Sequence, residues 1–91
     1  MLTPWTITTA SGRKYVSSEV PANLVMSVGA ILGSTRWADI DPLSSAEALT
    51  VWVAAIEHLE AGGNTQEEFI ERMTEVLNRP MFELMTMIAQ E

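Results

Sequence analysis

Apolar residues recur at helical spacing in two separate segments, and this periodicity constrains the fold more than any other feature of the sequence. Each segment carries them at relative positions 0, 1, 4, 7 and 8, which lie along one face of an α-helix. They are Leu24, Val25, Val28, Ile31 and Leu32 in the first segment, and Phe69, Ile70, Met73, Val76 and Leu77 in the second. The pattern predicts helices over about 21–32 and 66–78, each burying one face.

Start and stop signals add two further helices. Two capping boxes have the spacing that satisfies orphan amides at a helix start: they pair Ser44 with Glu47 and Thr65 with Glu68. The first box predicts a helix over about 45–60, and Gly62 follows its end. Pro80 ends the third helix and predicts a fourth over about 80–90.

The N-terminal segment has a period of two. Trp5 and Ile7 alternate with threonines, and a turn-forming stretch over 10–13 separates this run from a second extended one. We therefore predict a β-hairpin over about 4–17. With 91 residues the chain is expected to form a single domain, 1–91, of the α+β class, mainly α, in which an N-terminal β-hairpin is followed by three or four packed helices.

Residues that support catalysis or metal binding are sparse. The chain has no cysteine, and its single histidine, His58, has no nucleophile placed beside it by a known motif. The glutamates at 67, 68, 71 and 75 have the spacing of a solvated helix face, and the glycines at 62–63 lack the lysine of a phosphate loop. We predict a non-enzymatic protein without catalytic residues, cofactor or metal.

Charge is distributed unevenly. Up to Arg36 there are three bases and one acid, whereas from Trp37 onward there are eleven acids and two bases. The acidic part would repel a phosphate backbone, which argues against nucleic-acid binding. The sequence starts without the pattern of a signal peptide, and its apolar runs are too short to span a bilayer. We expect a soluble, cytoplasmic protein.

The last predicted helix carries more apolar side chains than one buried stripe can hold. Met81, Phe82, Leu84, Met85, Met87 and Ile88 all fall within it, so some of them are expected to face solvent or a partner. Methionine side chains are flexible and can adapt to the surface of a helical partner. Trp37 is added because it lies in a predicted loop over 34–42 and not on a predicted core face. The predicted partner-binding residues are Trp37, Met81, Phe82, Met85 and Met87. The small side chains on the back of the first helix (Asn23, Ser27 and Ala30) are also suited to accept another helix.

The order of these elements resembles the tail assembly chaperones of long-tailed bacteriophages. The resemblance covers the hairpin over 6–16, the residues 18–21 leading into the first helix, the tryptophan-bearing helix over 49–59 and the acidic helix after it. It implies a non-enzymatic protein of the host cytoplasm that binds the long helical tape-measure protein during tail assembly. It also implies that the finished particle does not contain the protein.

Two alternative functions remain open. The acidic helices would also suit a small phage-type inhibitor that blocks one host protein, either by imitating DNA or by meeting a basic patch. An enzyme or a small-molecule regulator is disfavoured, because the histidine is single, cysteine is absent and no loop motif supports it. Whatever the function, we expect self-association into a homo-oligomer, since the basic N-terminal part and the acidic remainder of two copies would attract each other.

Overall fold

The structure, a computed structural model, describes residues 4–90 and shows the predicted α+β fold. The described residues form three strands and five helices, and the sheet combines two strands from the start of the chain with one from its end. The strands are β1 (Trp5–Thr8), β2 (Lys14–Val16) and β3 (Ile88–Gln90). The helices are α1 (Ala22–Leu32), α2 (Trp37–Ile40), α3 (Ala46–Glu60), α4 (Gln66–Leu77) and α5 (Met81–Met87). Within the described range, no helix has the length and apolar character to cross a bilayer.

The three long helices begin and end within one residue of their predicted bounds. Thr65 caps α4 as predicted, because its hydroxyl accepts from the Glu68 amide at 3.2 Å. The prediction that Ser44 caps α3 is wrong. The Ser44 hydroxyl donates to the Asp41 carbonyl in the preceding turn, and Ser45 caps the helix instead, accepting from the Ala48 amide at 3.0 Å.

The predicted hairpin is confirmed, and it belongs to a sheet with a third strand. β1 pairs antiparallel with β2, with Thr6 opposite Val16, and on its other edge it pairs antiparallel with β3, with Ile7 opposite Ile88. The prediction of a helix over 80–90 is therefore wrong for its last residues. The β1 backbone is buried and needs hydrogen-bond partners on both edges, and a longer α5 would not supply them.

The segment predicted as a loop over 34–42 contains the one-turn helix α2. Its last residue, Ile40, is buried, and the Ile40 carbonyl accepts a hydrogen bond from the Trp52 indole nitrogen at 2.5 Å. This bond satisfies the polar end of a fully buried tryptophan and attaches the segment between α1 and α3 to the core.

Helix α3 forms the centre of the core, and α1, α4 and α5 pack around it. Every residue from Ala48 to Ile56 is buried. The Trp52 ring of α3 meets the Trp5 ring of β1 edge-to-face at a centroid distance of 5.0 Å. This contact packs the sheet against the helices. Both tryptophans are fully buried.

Gly29 is required by a close approach of two backbone segments. A Cβ at this position would lie 2.7 Å from the carbonyl oxygen of Ser34, in the turn that ends α1. Exchanging an interior helical glycine for alanine ordinarily stabilises by about 1 kcal/mol. Here we expect Gly29→Ala to destabilise by about 1–2 kcal/mol, because the turn must move. Urea unfolding checks the sign, with Ser27→Ala on the exposed face of the same helix as control; a more stable Gly29→Ala variant would contradict the expectation.

Candidate functional site

The described side chains that could carry out chemistry are engaged in packing or capping contacts. His58 meets the Phe69 ring edge-to-face at 5.3 Å, and its carbonyl accepts from the Gly63 amide in the turn after α3. In α4 the Thr65 hydroxyl donates to the Glu68 carboxylate, and the Glu75 carboxylate accepts from Arg79. Between residues 4 and 90, no group of three or more His, Cys, Asp or Glu side chains is placed to hold a metal ion. The candidate functional sites are therefore exposed apolar surfaces.

Helix α5 exposes three of the predicted partner-binding residues. Phe82 is 76% exposed, Met85 56% and Met81 38%. On a helix, Met85 neighbours both Met81, four residues before it, and Phe82, three residues before it. These three side chains form one apolar strip, which we call the α5 patch. The opposite side of the helix carries Leu84, which is buried against the core.

The structure places the other two predicted residues away from the α5 patch. Met87 is half-buried and packs against two clusters of buried residues, one around Trp52 and one around Leu84. Trp37 is half-buried at the start of α2, where its ring meets the Trp52 ring edge-to-face at 6.2 Å. The Trp37 indole nitrogen is buried and has no hydrogen-bond partner among the described atoms. Both side chains are thus at the edge of the core.

A hydrogen-bonded ion cluster holds α5 in position. The Arg79 guanidinium donates to both carboxylate oxygens of Glu57 at 2.7 and 2.6 Å, and to Glu75 at 2.6 Å. The hydrogen bonds that Arg79 donates to Glu57 and Glu75 raise the pKa of Arg79 far above its ordinary value, and the bond from Arg79 lowers the pKa of Glu75. Because Arg79 lies between α4 and α5, the cluster attaches the connection between these helices to Glu57 of α3.

A second apolar surface lies between α1 and α4. Both helices pack against α3 but make no extensive contact with each other, which leaves an open groove of about 580 Å³ above α3. We call it the α1/α4 groove. Its walls and floor include Ser27, Ala30 and Ile31 of α1, Leu59 of α3, and Phe69 and Ile70 of α4.

Part of the surface around this groove was predicted to belong to the buried stripes. Ile31, Ile70 and Leu77 belong to those stripes, yet all three are substantially exposed. A stripe with relative positions 0, 1, 4, 7 and 8 covers a wide arc of a helix, and α3 covers only part of that arc in α1 and α4. The small side chains of Ser27 and Ala30 were the signal that could have located the groove.

The chain matches no protein-family model, no curated protein and no solved structure. The likeness to tail assembly chaperones thus consists of the order of elements alone. Any functional conclusion has to be drawn from the α5 patch, the α1/α4 groove and the charges around them.

Proposed function

We propose that the chain is a non-enzymatic protein-binding module, a phage tail assembly chaperone that binds the helical tape-measure protein in the host cytoplasm before the tail is complete. The observation that carries this proposal is the α5 patch, in which Met81, Phe82 and Met85 stay exposed on a helix whose Leu84 is buried against the core. A large aromatic side chain left this exposed beside two methionines is typical of a binding surface.

The chemistry of the patch favours a helical partner. Methionine side chains are flexible and polarizable, so they adapt to the varied apolar stripes along a long amphipathic helix. Burying a phenylalanine or methionine side chain fully contributes about 1.5–3 kcal/mol, so the patch offers several kcal/mol before the costs of association. Such a surface suits reversible binding during assembly.

Replacing the patch with polar side chains is expected to abolish this activity. In co-expression with the tape-measure protein, we expect the chain to keep that protein soluble, and the Phe82→Ser/Met85→Ser variant to lose most of the effect. Soluble tape-measure protein is measured after centrifugation. The matched control is Met26→Ser, because Met26 is 74% exposed but lies on α1. The proposal fails if the wild-type chain leaves the solubility unchanged, or if both variants behave alike.

A small acidic inhibitor of a host protein is the second candidate, favoured by the excess of acids from Trp37 onward. Glu67 and Glu71 of α4 are exposed and have no ion-pair partner within residues 4–90, so they are available to a basic surface. This function predicts one tight host complex that dissociates as salt rises and that Phe82→Ser leaves intact. A pull-down at two salt concentrations separates the two candidates.

A further inference from the structure

The arrangement of α1, α3 and α4 has space for one more helix. α3 contacts both flanking helices, and the α1/α4 groove above it is open along its length. α1 has 11 residues and α4 has 12, so the walls are about 16–18 Å long at 1.5 Å per residue. This length matches about three turns of a helix lying between them.

The walls of the groove suit the side of a helix. Ser27 and Ala30 are small, which allows a second backbone to approach α1 closely, while Ile31 and Ile70 project exposed apolar surface toward the same space. A helix with one apolar stripe would cover these isoleucines and fill the gap between α1 and α4.

Charge distinguishes the two walls. α1 carries no charged residue, whereas Glu67 of α4 precedes Ile70 by three residues and therefore lies beside it at the rim of the groove. No described basic side chain forms an ion pair with Glu67 or with Glu71, one turn further along. A helix in the groove would meet an uncharged wall on one side and an acidic rim on the other.

We infer that the α1/α4 groove binds one amphipathic helix of the partner protein, oriented so that basic side chains on one flank face Glu67 on the rim of α4. This inference rests on the proposed function, because it names the chemistry of the helix that the chain would bind. It adds a second surface to the α5 patch and specifies a partner helix that is apolar on one face and basic along one edge.

A helix from a second copy of the chain fits the groove less well. α5 is the described helix with an exposed apolar strip, and its only charged residue is Glu83. Placed in the groove, it would set an acid against the acidic rim of α4. With a net charge of −7 per chain, two copies also repel each other overall.

Binding of two synthetic peptides tests the inference. Both are helical, about 18 residues long, with leucines on one face; one carries lysines along one flank, and the other carries glutamates there. We expect fluorescence anisotropy at low salt to show the lysine peptide binding about tenfold or more tightly than the glutamate peptide, with the difference shrinking as salt rises.

Two variants locate the peptide. Ile70→Ser is expected to weaken binding of the lysine peptide about tenfold, because apolar burial is lost. Glu67→Lys is expected to reduce the preference for the lysine peptide over the glutamate peptide by a similar factor. Met26→Ser is the control for the apolar change, because Met26 does not line the groove, and Glu83→Lys is the control for the charge change, because Glu83 lies on α5. Circular dichroism establishes that each variant is folded. If Ile70→Ser does not fold, Glu67→Lys alone still tests the site.

The inference is overturned if the two peptides bind equally, if neither binds, or if binding depends on Phe82 and not on Ile70. It is also overturned if light scattering shows a dimer that Ile70→Ser dissociates, because a second copy then occupies the groove. Its failure is distinct from that of the proposed function. If tape-measure solubility depends on Phe82 but not on Ile70, the groove inference is rejected and the chaperone function is not. If the peptide binds but the chain has no effect on tape-measure solubility, the groove is supported and the chaperone function is rejected.

Discussion

Replacing Trp52 with alanine is expected to destabilise the protein by about 3–5 kcal/mol, the range for deleting a fully buried tryptophan. Trp52 has no exposed surface, meets the rings of Trp5 and Trp37, and donates to the Ile40 carbonyl. A domain of this length has a total stability of about 5–13 kcal/mol, so the loss is a large share of it. Urea unfolding followed by circular dichroism measures the change.

A conservative exchange at the same position separates packing from hydrogen bonding. Trp52→Phe keeps an aromatic ring but removes the donor to Ile40, so we expect about half the destabilisation of the alanine variant. If Trp52→Ala unfolds at nearly the same urea concentration as the wild type, then α3 does not form the centre of the core as described.

Replacing Arg79 with methionine is expected to destabilise the protein by about 2–4 kcal/mol, because it leaves the largely buried Glu57 with only its longer contact to Arg72. The Glu57 side chain is 11% exposed and accepts two short hydrogen bonds from Arg79. The matched control is Arg72→Met. Arg72 contacts the same carboxylate at 3.3 Å but is more exposed, so its loss should cost less than about 1 kcal/mol. Equal effects of the two variants would contradict the role given to Arg79.

The Arg79 variant also has an expected signature in pH. The hydrogen bond from Arg79 lowers the pKa of Glu75 below its ordinary value in the folded state. The ionised Glu75 therefore contributes to stability above its unfolded pKa, and this contribution is lost as the pH falls through its folded pKa. In Arg79→Met this acid-dependent contribution should disappear, and NMR titration should show the pKa of Glu75 higher than in the wild type. An unchanged pKa of Glu75 would contradict the expectation.

The local part of the fold could be predicted from the sequence, and the long-range part could not. α1, α3 and α4 have apolar periodicity and end signals within their own residues, so their bounds were predicted within one residue. β3 has no such signal, because Ile88 fits the helical pattern of α5 as well as a strand. Its state is decided by pairing with β1, about eighty residues earlier in the chain.

The same distinction applies to the surfaces. Counting apolar residues in the last helix was enough to predict exposed methionines and Phe82, since one buried stripe cannot hold them all. The α1/α4 groove depends on how far apart α3 holds two helices that are distant in the sequence. Likewise, Trp37 was predicted to bind a partner because it was assigned to a loop. It lies instead in the one-turn helix α2 and packs against Trp52.

An NMR titration of the isotope-labelled chain with a helical fragment of the tape-measure protein tests the central claim most directly. Amide shifts should change saturably at Met81, Phe82 and Met85, the exposed residues of α5. Ser11, Gly12 and Arg13, in the exposed turn between β1 and β2, serve as the internal control and should not respond. An unchanged spectrum at high fragment concentration, or changes confined to residues outside α5, would contradict the claim that α5 presents a binding surface for another protein's helix.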